Sequence, residues 1–159
     1  MTRDEKVYLI VQEAIDIIKH WEGLSFMWYL CPSGYPTIGW GHKKNINDNF
    51  GAPITIEFAD QLLAEDLDKV MIEVETLTKS VVLNDNQFGA LVSFVFNIGS
   101  GNFASSTMLK LLKQGKFDQA GDELLKWVKG TIRNDVRILK VVLPGLVKRR
   151  TSERKLFNK

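Results

Sequence analysis

Glu22 closes an apolar helical stripe, following Trp21 and directly preceding Gly23, a residue type that ends helices. A carboxyl there, against an aromatic ring and facing a glycine-rich stretch, is placed where desolvation raises a pKa toward that of a general acid, and the negative end of the helix dipole acts in the same direction. The plain alternative is an ordinary solvated glutamate at a helix end. His42 reads as a candidate proton carrier from residue type alone. Metal chemistry fits poorly: one cysteine and two histidines supply too few soft ligands for a zinc centre, and neither a metal nor another cofactor is expected. The single cysteine also excludes an internal disulfide, and with it a secreted module built on disulfides.

The elements that must position Glu22 can be read from periodicity. Val7, Ile10, Ala14, Ile17 and Trp21 recur at helical spacing with Asp4, Glu5, Glu13 and Lys19 off the stripe, which predicts an amphipathic helix ending at Gly23. Residues 24–51 change character: Phe26, Trp28, Tyr29, Tyr35, Ile38 and Trp40 are punctuated by glycine and proline, predicting a small turn-rich β region. Ile56, Ala59, Leu63, Leu67, Val70, Val74 and Leu77 then hold helical period behind a candidate N-cap, Thr55, and predict a long helix joining two lobes. Phe88, Leu91, Val92, Val95 and Phe96 belong to a helix apolar almost all round, capped by Asn84 or Asp85 and central to the larger lobe. Shorter helices are expected at 106–114 and 117–128, parted at Gly115; 129–142 has no readable pattern, and a last helix starts near Pro144.

A chain of 159 residues, 45 % hydrophobic and with only 4 prolines, is enough for one domain of ordinary size with a sizeable apolar core, and two domains would be a stretch. The expected class is therefore α+β and mostly helical, a single domain over 1–159 with a small β lobe at about 24–51 and a helical lobe at about 80–159 plus the N-terminal helix. Glu13 and Asp16 interrupt the first apolar run, so no signal peptide is expected, and the uncharged stretches 23–41 and 86–109 are broken by glycine, proline and turn residues and do not read as membrane spans. The net charge of +2 conceals an asymmetry: residues 1–125 hold 10 Lys/Arg against 17 Asp/Glu, whereas 126–159 hold 11 against 2. A basic end beside an acidic body points to an anionic partner or, more plainly, to a solvated final helix.

The run from Glu22 through Cys31, Gly34, Tyr35 and Thr37 to Gly39, Gly41 and His42 resembles the catalytic segment of the phage-type lysozymes, glycoside hydrolase family 24. Their pattern is a Glu, eight residues, an Asp or in some members a Cys, five residues, then a Thr; Glu22, Cys31 and Thr37 fall on it without a gap. Phe96-Asn97-Ile98-Gly99 is similar to the family's Phe-Asn-x-Gly at the cleft wall, and Pro144-Gly145-Leu146 followed by Arg149-Arg150 to its closing helix. The segment 129–142 departs from the family's short connection.

The resemblance implies a lysozyme-like two-lobed fold and assigns roles. Glu22 is the acid. Thr37 holds a water through its hydroxyl, or is only a β-prone strand residue. Cys31 stands where most members carry Asp; a free thiol with a pKa of about 8.5 could serve as base, nucleophile, polar space-filler or small buried hydrophobe. His42 pairs with Asp66 in a structural tie between the β lobe and the long helix. Arg149 and Arg150 orient Glu22 or bind muramyl carboxylates, or lie on a solvated face. Asn97 contacts N-acetyl groups or caps its helix, and Tyr35 is a further substrate contact.

The implied activity is that of a muramidase cleaving the β-1,4 bond between N-acetylmuramic acid and N-acetylglucosamine, a phage endolysin for host lysis. It would be a monomer without cofactor, made in the host cytoplasm, reaching peptidoglycan through a membrane lesion, with an anionic outer-membrane surface as candidate partner for the basic segment. A lytic transglycosylase on the same bond is the alternative within the enzyme class, since loss of the second carboxylate suits attack by the muramyl hydroxyl. A cationic nucleic-acid-binding module is the alternative outside it. No nucleic-acid motif supports it, and no nucleic-acid partner is expected.

Overall fold

The computed structural model describes residues 10–133 and 137–159; Val7, the first residue of the N-terminal stripe, lies outside them. Helix α1 (Gln12–Glu22) buries Ala14, Ile17 and Ile18 and stops where the Gly23 N–H bonds back to the Lys19 carbonyl. Three short antiparallel strands follow in the order β1 (Ser25–Leu30), β2 (Pro36–Gly39) and β3 (His42–Lys43). Tyr29 pairs with Thr37, and Thr37 on the central strand pairs with Lys43.

Helix α2 (Ile56–Leu77) is capped by Thr55, whose hydroxyl accepts the Phe58 N–H. Its 22 residues span about 33 Å at ~1.5 Å per residue, and its inward face serves two apolar clusters. Ala59 and Leu62 pack with Ile38 and Ile54 under the sheet, while Leu63, Leu67, Met71 and Val74 join the main core. Ile56, counted in the predicted stripe, is exposed at the helix start, and Leu62 and Met71 are buried as well. The buried face is wider than a single stripe because the helix passes from one cluster to the other.

Helix α3 (Asp85–Ile98) starts in a capping box, the Asn84 side chain accepting the Gln87 N–H while the Gln87 side chain takes the Asn84 N–H. Residues 89–95 are all buried, so this helix is surrounded by protein. A short helix α4 (Ser100–Ala104) follows Gly99 within the uncharged stretch 86–109. Helix α5 (Thr107–Lys113), capped by Ser106, and α6 (Phe117–Glu123) come next. The helix expected over 117–128 is shorter: it tightens into a 3-10 turn (Leu124–Lys126) and ends at Trp127, whose carbonyl accepts from Arg150 Nε at 2.9 Å instead of continuing a helical ladder.

The stretch without a readable pattern is an antiparallel hairpin, β4 (Lys129–Arg133) and β5 (Ile138–Val142), with Thr131 opposite Lys140. Helix α7 (Pro144–Phe157) begins with proline in its first turn and buries Arg149, Arg150, Glu153, Leu156 and Phe157. The α+β, mostly helical class is thus the observed one. No helix among the described residues is long and apolar enough to cross a membrane.

Candidate active site

Glu22 is the last residue of α1, and its carboxylate is held at two sides. Arg149 Nη1 donates to Oε1 at 2.8 Å, while Oε2 lies over Gly41, where a Cβ would stand 2.6 Å from it. Gly41 adopts φ +81° in the turn from β2 to β3, so glycine serves both the backbone conformation and the space the carboxylate occupies. The sequence expectation placed an aromatic against this carboxyl. The Arg149 guanidinium stands against the carboxylate, and the Trp21 ring lies edge-on to His20 at 4.6 Å between centroids.

Arg149 and Arg150 are 3 % and 0 % exposed, which removes the solvated-face alternative. Arg149 spends its fork on three acceptors: Glu22 through Nη1, Glu153 Oε1 through Nε at 3.1 Å, and the Ser93 carbonyl through Nη2 at 3.1 Å. Arg150 donates to Glu153 Oε2, to Asn97 Oδ1 and to the Trp127 carbonyl, and lies over the Phe94 ring. Burial pulls the Arg150 guanidinium below its ordinary value, and the charge of Glu153 opposes that fall. The Asn97 side-chain oxygen is therefore engaged by Arg150, and the helix-end position falls to Gly99, whose N–H bonds to the Val95 carbonyl.

The turn between β1 and β2 carries the thiol. The Cys31 N–H donates to the Tyr35 carbonyl at 3.0 Å and the Gly34 N–H to the Cys31 carbonyl at 2.7 Å. Burial pushes the Cys31 thiol up, but hydrogen bonding from the Tyr35 and Ser33 backbone and the Thr37 hydroxyl, with the charge of Lys43, outweighs it, and the net effect is a lowered pKa. Thr37 is buried on the central strand, and its hydroxyl donates to the Tyr35 carbonyl at 2.8 Å. One O–H serves one acceptor at a time, and the structure places it on the Tyr35 carbonyl. Tyr35 itself is exposed, with Lys43 Nζ 5.2 Å from its ring centre.

Neither Cys31 nor Thr37 hydrogen-bonds to Glu22. Tyr29 lies within electrostatic reach of both Glu22 and Cys31. It pairs with Thr37 in the sheet, and burial, then the charges of Glu22 and of Cys31, raise its phenol above the ordinary value. The sheet is docked to the helices by two ties. Lys19 of α1 bridges to Asp60 of α2 at 3.0 Å and lies 5.0 Å from the ring centre of Trp40, whose Nε1 also donates to Asp60 at 2.8 Å. His42 is buried between two carboxylates, with Nδ1 2.7 Å from Asp66 and Nε2 3.0 Å from Asp48. The hydrogen bond to Asp66 raises the His42 pKa, burial opposes, and Asp48 adds to the rise. Burial pushes the Asp48 carboxyl up, yet the Asn45 N–H and His42 hold it below its usual value.

Sequence reasoning did not single out Glu153, Ser93, Asp48 or Tyr29. Glu153 carried a legible signal, being the one acidic residue in α7, four and three positions after Arg149 and Arg150. Asp48 lies in the loop after β3, where no periodicity marks a partner. No group of three or more metal-binding side chains occurs among the described residues.

The phage lysozyme family matches residues 19–153. The chain is 40 % identical to an endolysin of Acyrthosiphon pisum secondary endosymbiont phage 1, over 93 % of this chain and 97 % of that one. It is 37 % identical to the endolysin of Salmonella phage P22, again over 93 % and 97 %. The muramidase domain of SpmX from Asticaccaulis excentricus superposes with a TM-score of 0.80 at 35 % identity, over 94 % of this chain and 97 % of that domain.

Proposed function

The chain belongs to the phage lysozyme family and is a peptidoglycan-hydrolysing glycoside hydrolase, and from that premise we propose which groups carry the reaction. The bond broken is the β-1,4 link between N-acetylmuramic acid and N-acetylglucosamine. Glu22 protonates the leaving oxygen. The observation that carries this reading is the two-sided hold on its carboxyl: Arg149 occupies Oε1, which leaves Oε2 over Gly41 as the oxygen that carries and delivers the proton. A general acid needs such fixed geometry, because proton transfer fails when the donor wanders.

Cys31, with its lowered pKa, takes the proton of the attacking water. Thr37, its own hydrogen on the Tyr35 carbonyl, offers oxygen lone pairs to hold that water. Tyr35 and Asn97 contact the sugars, Asn97 through the amide nitrogen left when Arg150 takes its oxygen. Arg149 orients Glu22. His42 and Asp66 tie the sheet to α2 and stay outside the chemistry.

The enzyme acts as a monomer on glycan strands, and its cationic C-terminal segment meets the anionic cell envelope. Along the hairpin and the start of α7, exposed Lys129, Lys140 and Lys148 lie among exposed Ile132, Ile138, Leu139 and Val142, a combination suited to an anionic lipid surface. Nucleic acid is not a partner in this reading. Access to the wall through a membrane lesion made by another protein belongs to the same proposal.

The test is Glu22→Gln on purified cell wall, with mass spectrometry of the wild-type digest. Lost turnover in a folded variant, together with reducing muramic ends, is expected. Wild-type turnover by the variant would refute the assignment of the acid, and anhydro-muramic ends would make the enzyme a lytic transglycosylase.

A further inference from the structure

We propose that Glu153 is a positioning residue for the reaction: a fully buried carboxylate that clamps Arg149 against Glu22 and, by balancing the charge of the two arginines, sets the upper pH limit of activity. The inference rests on the reading of Glu22 as the general acid. Glu153 has no exposed surface, and both of its oxygens are engaged. Oε1 accepts from Ser93 Oγ at 2.8 Å and from Arg149 Nε at 3.1 Å, and Oε2 accepts from Arg150 Nη1. A carboxylate so far from water persists only where cations and donors replace its hydration, and here two guanidiniums and a hydroxyl do so.

The consequence for Glu22 is geometric first. Arg149 reaches Glu22 with Nη1 while Nε and Nη2 are pinned by Glu153 and the Ser93 carbonyl, so the guanidinium plane cannot rotate away. It is electrostatic second. Two cations, Arg149 and Arg150, face two carboxyls, Glu22 and Glu153, and the cluster is neutral when both are ionised. Without Glu153 the buried cluster would hold one uncompensated positive charge, which favours the ionised form of a neighbouring carboxyl over the protonated form a general acid requires. Among the described residues, the charged and titratable groups seen to act on Glu22 include Arg149 in direct contact, Arg150 from the same helix, and Tyr29 from β1. Only the first two change balance with Glu153.

Opposite substitutions must then act in opposite directions. Glu153→Gln leaves an excess of positive charge and moves the alkaline limb of the kcat/KM profile to lower pH, by about one pH unit, a tenfold loss of activity above that limb. Arg150→Gln leaves an excess of negative charge and moves the same limb to higher pH. The double variant Glu153→Gln/Arg150→Gln restores balance and returns the limb toward the wild-type position. A residue that only stabilises the fold would lower Tm in these variants without moving the limb.

The experiment is the pH dependence of kcat/KM on purified peptidoglycan for the wild type and the three variants, with Tm measured alongside. Shifts of opposite sign in the single variants and recovery in the double variant are expected. Where Glu153→Gln alone does not fold, Arg150→Gln and the double variant decide. An unmoved limb in folded Arg150→Gln, or one in the double variant that stays where Arg150→Gln put it, overturns the proposal. Failure of the underlying reading shows separately: if Glu22→Gln retains turnover, Glu22 is not the acid, whereas an inactive Glu22→Gln with unmoved limbs refutes the role of Glu153 alone.

Discussion

Gly41→Ala isolates the geometry of the acid from the stability of the fold. A Cβ at residue 41 would stand 2.6 Å from Glu22 Oε2, 3.0 Å from its carboxyl carbon and 3.1 Å from Cγ, where ordinary contact begins near 3.4 Å. The carboxylate must therefore retreat by ~0.8 Å, from 2.6 to 3.4 Å, and misplacement on the order of 1 Å costs roughly 10²-fold in rate. The backbone contributes separately. With φ +81°, alanine is strained by about 1–2 kcal/mol, which for a chain of this size lowers Tm by roughly 2–8 °C.

The control is Gly115→Ala, at φ +72° with nothing within 4 Å of the added carbon, which carries the strain without the collision. Both variants should lose similar stability in thermal melts followed by circular dichroism. Only Gly41→Ala should lose about two orders of magnitude in kcat/KM on purified cell wall. Wild-type turnover by a folded Gly41→Ala protein, or an equal loss in Gly115→Ala, would refute the argument that Gly41 makes room for the catalytic carboxyl.

His42→Asn should lower Tm more than intrinsic turnover. Because the folded His42 pKa is raised, its stabilisation is fully present below the unfolded value of about 6.5 and lost as pH rises through the folded value. Because the folded Asp48 pKa is lowered, its share is present above the unfolded Asp value and lost as pH falls through the folded one. The Tm gap between wild type and His42→Asn should thus be widest between those limits and close at alkaline pH; an unchanged Tm with lost turnover would move His42 into the catalytic set. Cys31→Ser should fall steeply in activity while Cys31→Asp keeps a substantial part, since a hydroxyl is a far weaker base than a thiol whose pKa the turn already lowers. Full activity in folded Cys31→Ser would make the thiol a bystander. Charge reversal of Lys129 and Lys140 together should weaken sedimentation with anionic lipid vesicles and spare turnover on purified wall; undiminished vesicle binding would dismiss the hairpin as an envelope contact.

Local order was legible from the residues alone wherever one segment carries its own signal. The 22 residues of α2 repeat an apolar face behind the Thr55 hydroxyl, Asn84 and Gln87 cap each other three positions apart, Gly23 ends α1, and Pro144 opens α7. Periodicity and capping act over one or two helical turns, so they survive without any knowledge of what packs on them. The spacing of Glu22, Cys31 and Thr37 carried meaning only through its resemblance to the phage-type lysozyme pattern, since no periodicity or capping rule singles out those three positions. Only the family resemblance named Arg149 as a partner of the acid, and as one alternative among three; the Arg149–Glu22 contact, and Glu153 and Ser93 behind it, are read from the tertiary structure. Arg149 lies 127 residues from Glu22 and Ser93 lies 60 from Glu153, and nothing in either segment states which burial or charge will meet it. The tertiary structure also decided the hairpin at 129–142, whose exposed Ile132, Ile138, Leu139 and Val142 obey no inward alternation, and the early end of α6, where the Trp127 carbonyl goes to Arg150. A buried guanidinium with several acceptors outweighs the small helical preference of the residues around it, and that competition exists only once distant parts of the chain are in contact.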